Sequence, residues 1–190
     1  VTGITRLTRE LSGKRLELVK EIVPIAPRVG ILLADTTSGH NSYKDYETPA
    51  RALKLKLQAI EVRSLKPEFD EAFQTAVRGR ASAIITLRNS LLIDNRKRIA
   101  DLAIQNRIPS ISEGSVFVEA GSLLSYSSDE NHSFRRAAHY VKKILKGAKP
   151  SNLPIEQPTK FELVINLKTA KQIDLTIPKM VLARADRVIR

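Results

Sequence analysis

Apolar positions along the chain follow two alternating periods, one typical of strands and one typical of helices. Nearly continuous or alternating apolar runs predict four strands, at 28–35, 57–62, 81–87 and 108–112. Four segments with apolar residues at helical spacing lie before or between these strands. The first ends at Pro24, and the others cover 42–55, Pro67 to Gly79 and 91–106. Strand and helix in regular alternation predict an α/β fold, in which a parallel sheet is flanked by helices.

This regular alternation ends after residue 112. Segment 113–128 contains a short helical turn and a β-prone piece, which is too brief for another βα unit and predicts a connection. Helix 131–146 follows, and its apolar face needs a sheet to cover. Near the end, a strand alternates from Phe161 to Leu167, and Pro178 opens a last helix at its permitted first position.

The composition describes an ordinary globular protein. Of 190 residues, 42% are hydrophobic and 27% are charged, and no apolar run reaches the roughly 18 residues that a membrane span needs. The chain has no signal-peptide pattern and begins with Val1 rather than methionine, so we expect a processed or truncated product. Cysteine is absent, which excludes disulfides, thiolate catalysis and zinc–thiolate sites.

The net charge of +12 raises the question of a polyanionic partner. Basic residues are spread through every predicted helix, for example Lys14, Arg15 and Lys20 in the first, at spacings that favour solvated outer faces. We therefore expect no nucleic-acid partner. The alternative, a nucleic-acid-binding α/β domain, would show a steep salt dependence of binding.

Catalytic and metal-binding patterns are weak. His40, His132 and His139 are scattered, and none has a partner at a ligand spacing such as His-x-x-x-His. The chain has neither a Gly-x-Ser-x-Gly elbow nor a Gly-x-Gly-x-x-Gly phosphate loop. The sequence thus predicts no catalytic residues, no metal site, no cofactor and no enzymatic activity.

Ligands of open α/β sheets bind at the carboxyl ends of the strands, where three polar loops are predicted. The first loop offers Thr36, Thr37, Asn41 and Ser42. This loop is either a capped turn, with Asn41 or Ser42 as the N-cap, or a capped turn that also contacts a ligand.

The second and third loops carry charged candidates. Arg88, Asn89 and Ser90 follow the third strand, and Arg88 either receives a carboxylate or phosphate or is simply solvated. Glu113 follows the fourth strand. It either accepts a hydrogen bond from a ligand hydroxyl or amine, or interacts with the dipole of the next short helix.

Four segments together resemble one protein family: 13–24, 117–129, 137–171 and 175–189. The chain resembles the substrate-binding proteins of a family of bacterial ABC-type uptake systems. The resemblance implies a type I periplasmic binding protein fold, in which two lobes are joined by three crossing strands. This chain would be the C-terminal lobe with a return helix and a C-terminal tail, and the N-terminal lobe would be absent. The implied division is 1–8 first crossing, 9–122 C-terminal lobe, 123–128 second crossing, 129–154 helix of the missing lobe, and 155–190 third crossing and tail.

The resemblance also implies a function. The protein would capture a small molecule between its lobes and deliver it to ABC permease subunits, in the periplasm or outside the cell. The alternative is an extracellular ligand-sensing module of a signalling receptor. Helix 131–146 would lie on the missing lobe, or pair with a second copy in a homodimer.

Three further site expectations depend on the resemblance. Asn41 and Ser42 are similar to family members that carry small polar residues there. Tyr126 and Asp129 would lie at the hinge, with Tyr126 either stacking on a ligand or packed between lobes. The amino-acid-binding branch of the family has a Thr-Asp-Asn run where this chain has Arg88 to Ser90, so an anionic small molecule is favoured over an amino acid.

Overall fold

A mixed seven-stranded sheet is the centre of the fold. The structure, a computed structural model, describes residues 1–5, 8–63, 65 and 67–190, without the side chains of residues 8 and 9. The strands of the described chain, which belong to this sheet and to a smaller two-stranded one, are β1 (Gly3–Ile4), β2 (Arg28–Ala34), β3 (Lys56–Val62), β4 (Ala83–Thr86), β5 (Ser110–Ser112), β6 (Leu124–Ser128), β7 (Ile155–Glu156), β8 (Phe161–Asn166) and β9 (Arg187–Ile189). The large sheet has the order β3-β2-β4-β5-β6-β8-β9, and all its pairs are parallel except β6 with β8. The predicted α/β class is confirmed, with one antiparallel pair added.

Helices cover both faces of this sheet. The α-helices of the described chain, including α7, which packs elsewhere, are α1 (Thr8–Ile22), α2 (Thr37–Ala52), α3 (Phe69–Arg78), α4 (Ser90–Asp94), α5 (Arg96–Gln105), α6 (Ser115–Glu119), α7 (Glu130–Leu145), α8 (Leu167–Gln172) and α9 (Lys179–Leu182). One core lies beneath α1, α2, α8 and α9, and a second lies beneath α3 and α5. Strand β2 supplies Ile31 to the first core and Leu32 to the second, which is why its sequence is apolar throughout.

Two predicted helices have different bounds in the structure. Helix α2 begins at Thr37 rather than residue 42, because the Thr36 hydroxyl accepts a hydrogen bond from the Gly39 N–H at 3.1 Å and caps the helix there. The prediction of Asn41 or Ser42 as the N-cap is therefore wrong. The predicted helix 91–106 is two helices, α4 and α5, which are separated at Asn95.

The connection predicted at 113–128 is more ordered than its sequence indicated. It contains α6 and a complete strand, β6, which pairs with β5 on one side and with β8 on the other. Serine side chains at Ser125 and Ser127 are buried in this strand. The sequence analysis identified this piece as β-prone, and the shortness of the strand, at five residues, is the reason that it predicted only a connection.

Helix α7 packs beside a separate two-stranded sheet. Strand β1 pairs in parallel with β7, and Tyr140 of α7 donates a hydrogen bond to the Pro154 carbonyl at 3.0 Å. The other face of α7 is apolar and exposed, with side chains that include Phe134 at 65%, Val141 at 55% and Leu145 at 82%. The apolar face that the sequence predicts thus lies uncovered.

Candidate ligand-binding site

The carboxyl ends of β2, β4, β5 and β6 lie side by side, because these strands are adjacent and parallel. A cavity of about 100 Å³ opens near this edge, between α1, α2 and the start of α7. Its lining includes Arg15, Ser42, Arg88, Glu113, Ser128 and Glu130. The structure therefore brings together Ser42, Arg88 and Glu113 from three separate predicted loops.

A buried network of charged and polar groups forms the floor of the cavity. The Arg15 side chain is 2% exposed, and its Nη1 lies 2.9 Å from Oε1 of Glu113. The same Arg15 nitrogen donates to the Tyr46 hydroxyl at 2.9 Å, and that hydroxyl donates to Glu113 Oε1 at 2.7 Å. Arg15 Nε donates to the backbone carbonyl of Tyr126 at 2.8 Å. Helices α1 and α2 are thereby attached to the ends of β5 and β6.

Electrostatics fix the protonation states of this network. Burial opposes the charge on Arg15, but its interactions with Tyr46 and Glu113 outweigh the lost hydration and raise the pKa of the guanidinium. Burial and the nearby charge of Glu113 raise the pKa of Tyr46 well above its usual value. Tyr46 is therefore a neutral hydroxyl at physiological pH and donates its proton to Glu113.

Glu113 uses both carboxylate oxygens within the protein. Oε1 accepts from Arg15 and Tyr46, and Oε2 accepts from the backbone N–H of Arg88 at 2.9 Å. The dipole interaction that the sequence allowed stays a prediction beside these direct contacts. Glu113 positions the loop after β4, and its predicted contact with a ligand stays a prediction.

Arg88 is held over the floor by a second carboxylate. Its Nη1 lies 2.8 Å from Glu130 Oε1, and its Nη2 donates to Glu130 Oε2 at 3.2 Å. The two side chains are 15% and 24% exposed, so Arg88 is not the solvated loop arginine that the sequence allowed. A Cβ at Gly114 would lie 2.6 Å from Arg88 Nη1, so glycine leaves the room in which the guanidinium lies.

The other predicted site residues of the first two loops have local roles. Thr36 caps α2, and Thr37 and Asn41 are exposed on its first turns. Asn89 accepts from the Leu92 N–H at 2.8 Å and caps α4, while Ser90 is exposed at the start of that helix. These five side chains do not line the 100 Å³ cavity.

The two hinge candidates also have partners within the chain. Tyr126 stacks on Phe161, with ring centroids 6.3 Å apart and planes inclined by 24°. Asp129 caps α7 by accepting from the His132 N–H at 3.0 Å. Their contribution to ligand binding stays a prediction.

Arg15, Tyr46 and Glu130 were missed as site residues. Arg15 was grouped with Lys14 and Lys20 as solvated, and that interpretation is wrong because Arg15 is buried. A signal was present: Arg15 follows Leu11 by four residues, so it shares the apolar stripe of α1. No comparable signal exists for Glu130, because its partner is 42 residues away.

Comparison with known proteins assigns the chain to a family. The family model described as ABC transporter substrate binding protein matches residues 1–189. The chain belongs to this family. The sequence resemblance indicated this family, which is one of solute-binding proteins. Proteins of the family are typically periplasmic or extracellular.

Solved structures show the same fold. A conserved domain protein of Vibrio cholerae is 28% identical, with a TM-score of 0.86 over 99% of this chain and 62% of its own. A Streptococcus pneumonia ABC domain in complex with L-Trp is 21% identical, with a TM-score of 0.81 over 99% of this chain and 64% of its own. The chain thus spans less than two thirds of either structure.

A curated relative is the tyrosine-binding protein of Clostridioides difficile (strain R20291). It is 23% identical over 163 residues, which are 85% of this chain and 47% of that protein. The chain therefore spans about half the length of this relative. Among the residues that the structure describes, no helix has the length and apolar character required to cross a membrane.

Proposed function

We propose that this chain is the C-terminal lobe of a solute-binding protein that captures a small molecule and delivers it to the permease subunits of an ABC transporter. The observation that carries the proposal is the cavity beside the carboxyl strand ends, where Arg88 and Glu130 lie above the buried network of Arg15 and Glu113. Strand ends of this kind are the usual ligand position in open α/β sheets. The periplasm or the cell exterior is the proposed location, as in the family.

The proposed lobe division follows the arrangement of the two sheets. Residues 9–122 belong to the large sheet and its helices, and α7 with the pair β1–β7 forms a separate small unit. The described chain passes between these units near 128–130 and at 156–161, in support of two hinge crossings. The first proposed crossing, within 1–8, includes residues 6 and 7, which lie outside the described residues. We assign 129–154 to a second lobe, which covers the exposed face of α7.

Capture would proceed by closure of the two lobes around the ligand. A ligand shifts the equilibrium toward the closed form only by its difference in affinity for the open and closed forms. Because Glu130 begins α7 and Arg88 lies in the loop after β4, their ion pair already spans the two proposed lobes. A ligand that binds to both side chains would therefore contact both lobes.

The pair of opposite charges also narrows the ligand class. Arg88 would receive a carboxylate or phosphate in competition with Glu130. The net charge of +12 favours an anionic ligand. By contrast, one relative is named for tyrosine and another is in complex with L-Trp, and each of these amino acids carries one charge of each sign. We propose an anionic small molecule, and the two charged residues provide a test of that choice.

The first experiment is mass spectrometry of small molecules released from the full-length protein after mild purification. We expect one organic acid or phosphate compound at near-stoichiometric amount. Repeated preparations that carry no small molecule, together with no thermal stabilisation by a library of anions and amino acids, would contradict the proposal.

The second experiment determines the sign of the ligand charge by calorimetry with the identified compound. For an anion, Arg88→Gln lowers the affinity and Glu130→Gln raises it, since the competing carboxylate is gone. For an amino acid, both substitutions lower the affinity. Arg98→Gln is the matched control, because Arg98 pairs with Asp70 on the surface at a distance from the cavity.

Delivery to a permease is tested by uptake. Loss of the protein should abolish accumulation of the labelled ligand, and the wild-type gene should restore it. Uptake that continues unchanged would instead direct attention to the sensor alternative, which neither the matching family nor its relatives favour.

A further inference from the structure

We propose that Asp35, His40 and Glu61 form a binding site for a divalent cation of the zinc type. One possible ligand atom of each residue lies within 4.8 Å of those of the other two. None of these residues lines the cavity that contains Arg88, so the proposal is independent of the ligand site described above. The three residues do not form a metal-binding sequence motif, since Glu61 follows His40 by 21 residues.

Regular elements hold the three side chains in place. Asp35 follows β2 and its backbone N–H donates to the Val62 carbonyl at 2.9 Å, while Glu61 lies near the end of the neighbouring strand β3. His40 lies in the first turn of α2, four residues after the cap residue Thr36. A Cβ at Gly39 would lie 2.2 Å from the Ala34 carbonyl oxygen, so glycine allows the helix to begin close to β2.

The imidazole of His40 has the orientation of a metal ligand. Its Nδ1 lies 2.8 Å from the Thr36 carbonyl oxygen, which only accepts hydrogen bonds, so Nδ1 carries the hydrogen. Nε2 is then directed to Glu61, at 3.2 Å from Oε1. Metal-binding histidines almost always donate the second ring N–H in this way, often to a backbone carbonyl, and that bond fixes the ring and its tautomer.

The surroundings attract positive charge in a protein that is otherwise basic. A neighbouring cavity of about 440 Å³ includes four carboxylates among the described residues of its wall, from Asp35, Glu61, Glu68 and Glu71, against the single guanidinium of Arg63.

The donor set selects the class of cation. One imidazole nitrogen and two carboxylate oxygens suit Zn²⁺, which binds such ligands at about 2.0–2.2 Å and leaves a position for water. Mg²⁺ prefers oxygen ligands and retains its waters. Ligand atoms of one tetrahedral zinc ion lie about 3.4 Å from each other, so atoms that are up to 4.8 Å apart must approach by up to about 1.4 Å. His40 and Glu61 are about half exposed and can rotate by that amount.

The experiment is calorimetric titration of the 190-residue chain with ZnCl₂ in a non-chelating buffer. We expect saturable binding with one high-affinity site, and much weaker binding of MgCl₂. His40→Ala, Asp35→Asn and Glu61→Gln should each weaken Zn²⁺ binding by at least about tenfold, because each removes one of only three protein ligands. Circular dichroism confirms that each variant is folded.

Two control variants separate a built site from general attraction. Glu71→Gln removes a carboxylate from the same cavity wall but not from the proposed ligands, and His139→Ala removes an exposed histidine of α7. Both should bind Zn²⁺ within about twofold of the wild type. Absence of saturable binding, or an unchanged affinity in His40→Ala, would show that His40 and Glu61 form only an ion pair and would overturn the proposal.

Discussion

Arg15 Nη1 and Glu113 Oε1 form an ion pair at 2.9 Å, and both side chains are almost fully buried, at 2% and 4% exposure. The pair joins α1 to the end of β5, although the residues are 98 positions apart. Removal of a charge from water is costly, and the pair is stable because Tyr46, the Arg88 N–H and the Tyr126 carbonyl satisfy the remaining groups. The position of Arg88 therefore depends on Arg15 through Glu113, whose Oε2 accepts a hydrogen bond from the Arg88 backbone N–H.

Substitution of one partner of this pair should strongly destabilise the fold. Arg15→Met leaves Glu113 as a buried charge without its main partner, and we expect a loss of about 3–5 kcal/mol in the free energy of unfolding. Urea denaturation measures this loss. The double variant Arg15→Met/Glu113→Gln should lose less than the sum of the two single variants, because the second change removes the uncompensated charge.

The matched control is an exposed ion pair on the same helix. Lys14 Nζ lies 2.8 Å from Glu17 Oε2, with side chains 39% and 48% exposed. Lys14→Met should change the free energy of unfolding by less than about 1 kcal/mol. Equal losses in Arg15→Met and Lys14→Met would contradict the role of the buried pair.

Close approach of α2 to β2 makes a second prediction. The Cβ of alanine at position 39 would lie 2.2 Å from the Ala34 carbonyl oxygen, so Gly39→Ala must displace backbone at the start of α2. We expect a loss of about 1–3 kcal/mol. Gly3→Ala is the comparison, since no atom lies within 4 Å of its added Cβ, and thermal unfolding of the two variants should differ clearly.

Stability should depend on pH through the contact between α7 and β7. Hydrogen bonding to Arg136, and secondarily to Tyr140, lowers the pKa of Glu156 from 4.5 to about 2. Because the pKa of Glu156 is lower in the folded than in the unfolded chain, the contact stabilises the fold fully at pH values above the unfolded pKa. This contribution disappears as the pH falls from about 4.5 to about 2. Glu156→Gln should lower Tm at pH 7, and the difference from wild type should vanish near pH 2. A difference that is the same at both pH values would exclude this linkage.

The exposed face of α7 tests the proposed second lobe. In the 190-residue chain, Phe134→Ser should leave stability nearly unchanged and reduce binding of a hydrophobic dye, because the ring is already 65% exposed. In a protein as long as its relatives, the same substitution should cost about 3–5 kcal/mol, the usual cost of truncating a buried aromatic side chain. If the longer protein loses no stability, the face is not covered by a second lobe. Sedimentation of the short chain shows whether a second copy covers it instead.

The sequence predicted the centre of the fold well and the site only in part. Strand β2 was evident because both of its faces are buried, so apolar residues fill it without alternation. The start of α2 was not evident from the sequence. Suitable N-cap residues occur at Thr36, Thr37, Asn41 and Ser42, and only the backbone geometry selects Thr36. The positions of Arg88 and Glu113 after predicted strands indicated that both lie at the site. No sequence pattern predicts the hydrogen bond from the Arg88 backbone N–H to Glu113.

Partners far apart in sequence account for the remaining differences. Glu130 meets Arg88 only because β6 leads the chain back past the end of β4, and Glu61 meets His40 only because β3 pairs with β2. Such contacts depend on the order of strands in the sheet, which periodicity does not specify.

Hydrogen–deuterium exchange of the full-length protein, with and without its co-purified ligand, tests the central claim most directly. We expect the ligand to slow exchange at the carboxyl ends of the strands, in 35–42, 87–90 and 113–116, and at the start of α7. The opposite strand ends, at 28–29 and 81–83, should exchange at the same rate in both states. Protection at those opposite ends, with none at Arg88 and its neighbours, would contradict a ligand site at this edge of the sheet.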